Sequence, residues 1–237
     1  MKIAILTPLI GEKYINRCKY GTLSKEFYCS KNNYDLIIAN EQDYNNIAIK
    51  NKQFGWTKVY KLLEIFDSYD YIFVSDADVS IMNYNLKLEK IINEQFDSNT
   101  LMIITRDQNN INSGNLIVKG KNNICKKYIN VWKACLPNNY PQYIGHQDQP
   151  ALINLIKNTE FKQYVKIIDQ SIINSYPNKI KDGRGQIRPF FFGESCIKYY
   201  KKNDLLIHYA GFSCFGWDFS YPMKVNYYKS LKYLEEK

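Results

Sequence analysis

Long apolar runs, clustered cysteines and histidines are all scarce in this 237-residue chain, and each scarcity excludes something. No apolar run approaches the ~18 residues that a membrane-spanning helix needs. The first apolar stretch, Ile3 to Leu6, is cut short by Pro8 and followed by Gly11-Glu12-Lys13, too short for the core of a secretion signal. A soluble, cytoplasmic chain without a transmembrane anchor is therefore expected. The six cysteines (Cys18, Cys29, Cys125, Cys135, Cys196 and Cys214) form no C-x-x-C pair and show no metal-finger spacing. They read as reduced, mostly buried thiols. Seven Pro and 11 Gly are too few for a collagen-like or linker-like chain. No G-x-G-x-x-G follows the first strand and no G-x-x-x-x-G-K-[ST] occurs anywhere, so both common backbone cradles for phosphate are missing. Dense Lys/Arg clusters are missing too, which argues against a nucleic-acid partner.

What the chain does have is apolar and aromatic bulk. Hydrophobic residues make up 45% and aromatics 15%, with 21 Tyr. Such a chain buries a core without needing a disulfide or metal staple. Lys and Arg number 32 against 23 acidic residues, a net charge of +9. Scattered as they are, these lysines read first as a solvated surface. Their second reading is attraction for an anionic partner, with a nucleotide as the leading specific case.

Strands alternate with helices along the chain. Ile3–Leu6, Tyr34–Ala39, Tyr71–Val74, Leu101–Thr105, Leu116–Lys119, Val165–Ile168 and Leu205–Ile207 read as strands. Asn16–Lys31, Gly55–Ser68, Lys121–Ala134 and Gln149–Lys157 read as helices, the second from Trp56, Val59, Tyr60, Leu63 and Phe66 at helical spacing. The unbroken run Tyr71-Ile72-Phe73-Val74 fits a strand covered on both faces, as in a parallel sheet. One mixed α/β domain follows, with a sheet flanked by helices.

The strongest local feature is Asp76-Ala77-Asp78 at the carboxyl end of that run, the edge where open α/β sheets bind ligands. Two carboxylates one residue apart repel each other unless water or a cation intervenes. Their oxygens suit Mg²⁺ or Mn²⁺, which could neutralise a nucleotide diphosphate. The same pair could equally cap the segment that follows. Of the two histidines, His208 ends the strand Leu205-Leu206-Ile207. It could complete a metal site or simply be hydrogen-bonded at a strand end. Gly211 just beyond would let backbone approach a phosphate. His146-Gln147-Asp148-Gln149 opens a helix, where Asp148 either complements the helix dipole or reaches into the cleft. Asn112-Ser113-Gly114 reads as a turn before a strand. The basic, aromatic stretch Lys181 to Phe192 is a surface loop or a lid, and Trp217 and Tyr221 are core aromatics or an acceptor-stacking surface.

Taken together, these strings form an ordered set. They are Trp56-Thr57-Lys58, Asp76-Ala77-Asp78 through Asn83, Asn112-Ser113-Gly114-Asn115, Asp148-Gln149-Pro150-Ala151-Leu152, Asn174-Ser175-Tyr176-Pro177 and Asn203 through Gly211. The set resembles glycosyltransferase family 34, the galactosyl-, mannosyl- and xyloglucan xylosyltransferases, from the first strand to about Gly211. The resemblance implies a GT-A fold in one domain over 1–237, about 1–120 holding the nucleotide sugar and about 121–237 the acceptor. It implies metal-dependent, retaining transfer from a nucleotide sugar to an acceptor hydroxyl, by front-face attack. Asp76, Asp78 and His208 would be the metal ligands and Asp148 and Gln149 the pair near the anomeric carbon. Asn112, Ser113 and Gly114 would face the donor sugar, Thr7 the base and ribose, Lys58 the donor, and Gly211 its phosphates. Mn²⁺ or Mg²⁺ would be the cofactor and a UDP-hexose the donor, with UDP-xylose and GDP-mannose also open.

Two departures stand out. Ser213 occupies the position where the family often places a lysine against the diphosphate, leaving Lys58, Arg184 or Arg188 to take that charge. The family's N-terminal membrane anchor has no counterpart in this sequence. Three other readings share some of the motifs: a glycogenin- or lipopolysaccharide-galactosyltransferase-like enzyme, a D-x-D phosphohydrolase of the haloacid dehalogenase type, and a non-catalytic sugar-nucleotide-binding module. The phosphohydrolase would need a later acidic pair, and no D-D or G-D-x-x-x-D string occurs downstream.

Overall fold

Six strands make the central sheet of the structure, a computed structural model that describes residues 1–45, 54–107, 110–136, 148–181, 187–189, 198–211 and 218–235. In chain order the elements begin β1 (Ile3–Pro8), α1 (Glu12–Asn32), β2 (Asp35–Ala39), α2 (Glu41–Asn45), α3 (Trp56–Ile65), β3 (Tyr71–Ser75) and β4 (Val79–Ile81). Then come α4 (Leu88–Gln95), β5 (Met102–Asp107), β6 (Asn110–Lys119), α5 (Asn123–Ala134), α6 (Asp148–Asn158), β7 (Val165–Ile168) and α7 (Gln170–Ile173). The last are β8 (Lys179–Lys181), β9 (Ile187–Pro189), β10 (Leu206–His208) and α8 (Ser220–Glu235).

The sheet order is β2-β1-β3-β6-β5-β7. β1 runs parallel to β2 and β3, and β5 parallel to β7, while β6 is antiparallel to both its neighbours. The sheet is therefore mixed, and the run Tyr71–Val74 is parallel to one neighbour only. Its continuous hydrophobicity has the expected cause, burial on both faces. Leu6, Val74, Ile104 and Leu116 pack against Trp56, Val59 and Leu62 of α3, Trp132 of α5 and Leu152 and Leu155 of α6. Ile5, Phe73, Ile103 and Ile117 point the other way, toward Tyr28 of α1 and Ile91 and Ile92 of α4. Period-two alternation in the strands thus feeds two cores from one sheet.

Two local features build the site. First, β5 and β6 slip register between Ile104 and Thr105: Ile104 faces Leu116, but Thr105 faces Asn112. Ser113, Gly114 and Asn115 bulge out between these pairs, so Asn112-Ser113-Gly114 lies inside a strand and not in a turn. Second, β4 pairs with β10 in a separate antiparallel ribbon, with Val79 opposite His208. α1 packs on α8 and on β4. Cys18, Cys29 and Cys125 are buried and Cys135 is half-buried, all four as free thiols. Among the described residues no helix is long and apolar enough to cross a membrane.

Candidate active site

β3 ends at Ser75 and β4 begins at Val79, so Asp76-Ala77-Asp78 is the link between the main sheet and the ribbon. The Asp76 N–H donates to Gly114 O at 2.7 Å, and the Tyr209 N–H donates to Asp78 O at 2.9 Å. Strand pairing on both sides therefore fixes the acidic turn beside the end of β10. His208 Nε2 lies 3.4 Å from Asp78 Oδ1. Ligand atoms of Asp76, Asp78 and His208 all fall within 4.8 Å of one another.

The imidazole is oriented from behind. Asn174, fully buried, donates its amide N–H to Thr105 Oγ1 at 3.0 Å and turns Oδ1 to His208 Nδ1 at 2.6 Å. Asn115 Nδ2 donates to the same Asn174 oxygen at 3.1 Å. Asn115 Nδ2 lies 3.2 Å from the same Nδ1. In the tautomer that gives the Nδ1 proton to the shorter contact with Asn174, the Nε2 lone pair faces the carboxylates, as a metal ligand requires. Asp78 Oδ1 is buried and accepts no hydrogen bond. Two electron-rich atoms facing each other in a buried site, with a second carboxylate beside them, make a donor set that fits a hard divalent cation.

Lys58 of α3 is 2% exposed. Its ammonium lies 3.0 Å from Asp76 Oδ1 and 2.9 Å from Asp148 Oδ2. The Ser113 hydroxyl donates to Asp148 Oδ2 at 2.8 Å, and the Ser113 N–H donates to Gln149 Oε1 at 3.1 Å. Burial pushes the Asp148 carboxyl up, but Lys58 and the Ser113 hydroxyl outweigh it and hold Asp148 below the ordinary carboxylate range. Burial raises Asp76, and Lys58 offsets this only in part because Asp78 and Asp148 lie close. Burial also opposes the charged form of Lys58, yet Asp148 and Asp76 together hold its ammonium above the usual lysine range.

Glycines make room for this network. A Cβ on Gly114 would stand 2.7 Å from His208 Cε1 and 2.9 Å from Asp76 Oδ2. One on Gly55 would stand 2.3 Å from Asp148 Oδ1. Asn112 adds a flank: its Oδ1 accepts from the Gly114 N–H, and its amide donates to Asp107 Oδ2 at 2.8 Å.

The structure thus gathers Asp76, Asp78, His208, Lys58, Asn112, Ser113, Gly114, Asp148 and Gln149 into one constellation. Thr7 is different. It is fully buried and its hydroxyl donates to Ser75 O at 2.8 Å, tying β1 to β3. Lys58 is committed to two carboxylates and is not a spare cation for a diphosphate. Gly211 has φ +77°, the left-handed region that glycine favours. Tyr221 is 59% exposed on α8 and so is no core aromatic. His146, Arg184, Ser213 and Trp217, and the side chain of Arg188, lie outside the described residues. Sequence reasoning gave no role to Asn174 and passed over Gly55 and the fully buried Lys25 of α1. Lys25 had a signal: with Cys18, Gly21, Tyr28 and Cys29 it recurs at helical spacing on the buried face.

Comparison with solved structures gives likenesses of fold. A glycosyltransferase involved in the glycosylation of the major capsid of PBCV-1 aligns with TM-score 0.66 and 16% identity, over 95% of this chain and 100% of that one. The WbbM bifunctional glycosyltransferase aligns with TM-score 0.61 and 13% identity, over 95% of this chain and 49% of that one. The galactosyltransferase LgtC, solved with donor and acceptor sugar analogues, aligns with TM-score 0.53 and 14% identity, over 94% and 95%. The fold is GT-A. A sequence comparison with curated proteins finds no significant match. The sequence profile of the galactosyl transferase GMA12/MNN10 family matches residues 90–216, a span that takes in the bulged strand β6, the start of α6, Asn174 and His208. That match covers more than half of the chain and sets aside the phosphohydrolase reading: the chain is a glycosyltransferase that belongs to the galactosyl transferase GMA12/MNN10 family.

Proposed function

We propose that the chain moves a sugar, a hexose carried on UDP, from the nucleotide to a hydroxyl of a sugar or glycan acceptor, with retention at the anomeric carbon. The reading includes a divalent ion, Mn²⁺ or Mg²⁺, held by Asp76, Asp78 and His208. The observation that carries it is the meeting of Asp76, Asp78 and His208, with the buried Asp78 Oδ1 3.4 Å from His208 Nε2 and ligand atoms of all three within 4.8 Å of one another. When bound there, the ion supplies neutralisation of the diphosphate charge that grows as the glycosidic bond to phosphate breaks.

The chain's own residues do the rest. Positive charge builds on the departing sugar ring, as in glycoside hydrolysis. Asp148, kept ionised by Lys58, is the carboxylate that stabilises it. Gln149, whose amide oxygen is held by the Ser113 N–H, presents its amide nitrogen to the donor sugar or the incoming hydroxyl. Asn112, Ser113 and Gly114 form the wall beside that sugar, and Gly211 lets backbone near the phosphates. Thr7 acts through the sheet edge it joins and makes no side-chain contact with the base. Residues up to about 120 would hold the nucleotide and the remainder the acceptor, with the site formed where the two parts meet.

The test is a panel of UDP- and GDP-sugars assayed for Mn²⁺-dependent hydrolysis and transfer. Asp78→Asn and His208→Ala should each abolish the metal-stimulated rate while leaving circular dichroism and melting near wild type. Full metal-stimulated turnover in either variant would remove the assigned ligands. Calorimetry showing no metal-dependent nucleotide binding would leave a non-catalytic module as the better reading.

A further inference from the structure

Lys25 is the one lysine of α1 buried completely, and it lies beneath the acidic turn. Its ammonium donates to Asp76 O at 2.8 Å and to Val79 O at 3.0 Å. Those carbonyls stand at the two ends of the Asp76-Ala77-Asp78 segment. Neighbouring residues on the same helical face complete the grip. Ser24 Oγ accepts from the Ile81 N–H at 3.0 Å. A Cβ on Gly21 would stand 2.7 Å from Val79 O and 2.8 Å from Ala77 O, so only glycine lets α1 press this closely on the turn. With Tyr209 N–H on Asp78 O, the carbonyls from Asp76 to Val79 are either hydrogen-bonded or packed against α1.

We propose that Lys25 is a positioning residue for metal-dependent transfer: its ammonium grips both ends of the acidic turn from behind and sets the angle at which the two carboxylates meet His208. The inference rests on the metal reading given above. A filler role does not account for the residue, because methionine would fill the same volume without a buried charge. Its two hydrogen bonds go to the one loop whose geometry the ligands depend on.

Two effects of the ammonium oppose each other. Its positive charge repels a divalent ion, whereas its donors preorganise the ligands. The proposal is that preorganisation wins, since the ammonium points at carbonyls and not at the carboxylate oxygens. The experiment compares Lys25→Met, Lys25→Gln and, as a control one turn further along α1, Tyr28→Phe, whose hydroxyl donates to Leu86 O at 2.5 Å away from the turn. Mn²⁺ affinity by calorimetry without donor, Mn²⁺ half-saturation of turnover and kcat at saturating Mn²⁺ are read for each, with melting curves. In Lys25→Met the half-saturation should rise about 10–100-fold, the usual effect of losing a group that orients metal ligands, with kcat recovered at saturating Mn²⁺. Lys25→Gln, which keeps amide donors, should fall between, and Tyr28→Phe should leave half-saturation unchanged. Unchanged or tighter Mn²⁺ response in a folded Lys25→Met protein would overturn the proposal, as would a failure of both Lys25 variants to fold, which would make the residue purely structural. A wild-type protein that shows no Mn²⁺ response would instead overturn the metal reading and this inference with it.

Discussion

Replacing Asn174 by leucine tests how the imidazole is set for its role. The substitution keeps the volume but deletes the oxygen that accepts the His208 Nδ1 proton at 2.6 Å and the Asn115 amide at 3.1 Å. Both lost partners are buried, and each unsatisfied group costs roughly 1–3 kcal/mol. The imidazole has a way out. Asn115 Nδ2 already lies 3.2 Å from His208 Nδ1, so Nδ1 can become the acceptor if the proton moves to Nε2. Nε2 would then donate to Asp78 Oδ1, 3.4 Å away, and a proton would stand where the metal ion belongs. Mn²⁺ half-saturation of donor turnover should weaken about 10–100-fold, equivalent to about 1.4–2.8 kcal/mol. Asn174→Asp keeps an acceptor at the same place and should retain Mn²⁺ binding. Nitrogen NMR of the imidazole reads the tautomer directly, and a Mn²⁺ titration reads the consequence. A folded Asn174→Leu protein with unchanged tautomer and unchanged Mn²⁺ response would refute this account of the site.

Three further outcomes are expected. Gly114→Ala should lose Mn²⁺-dependent activity and about 1–3 kcal/mol of stability in urea melts, because the new methyl meets His208 Cε1 at 2.7 Å and Asp76 Oδ2 at 2.9 Å. Lys58→Met strands two carboxylates; urea titration should show a loss of about 3 kcal/mol, the low end for a broken buried pair because Asp76 is partly exposed. Without Lys58, Asp148 titrates higher, so the acidic limb of the pH–rate profile should move to higher pH. Asp169 caps α7, accepting from the Ser171 hydroxyl and N–H, and these bonds lower its carboxyl. A depressed folded-state value means the stabilisation exists above the ordinary carboxylate range and is lost as pH falls through that lowered value. Asp169→Ala should therefore cost about 1 kcal/mol at pH 7 and nothing once the carboxyl is protonated, as melting at both pH values will reveal.

Sequence periodicity made the central sheet legible because its inner strands are buried on both faces: Ile3–Leu6 and Tyr71–Val74 are continuous apolar runs that a water-facing strand could not carry. What escaped was short or locally misleading. Val79-Ser80-Ile81 is three residues long and takes its strand character from pairing with β10, a partner far along the chain. α4 begins after Lys87 with no side-chain cap, and α8 carries Pro222 in its first turn and tyrosines around its circumference, which blurs any apolar stripe. Asn112-Ser113-Gly114 has turn composition, yet cross-strand pairing draws it into a bulge. The acidic pair was legible locally at the end of an apolar run, whereas its meeting with His208 came only from the order of six short strings, since no local pattern reports that β10 will lie against β4. Asn174 and Lys25 act through atoms hidden in the interior, where lysine and asparagine types suggest surface.

The ribbon of β4 and β10 has a consequence for the timing of competence. The main sheet closes when Ile168 takes its place beside β5, but the imidazole enters only when a later-synthesised stretch of chain folds back onto Val79. A nascent protein that stops short of that event has its six-stranded sheet but lacks the partner of β4 and one of the three groups of the Asp76, Asp78 and His208 cluster. Long-range closure of this kind is slow relative to local helix formation. On the proposed metal reading, cleavage of an activated sugar would await that pairing, so chemistry would switch on only after the ribbon has joined the sheet.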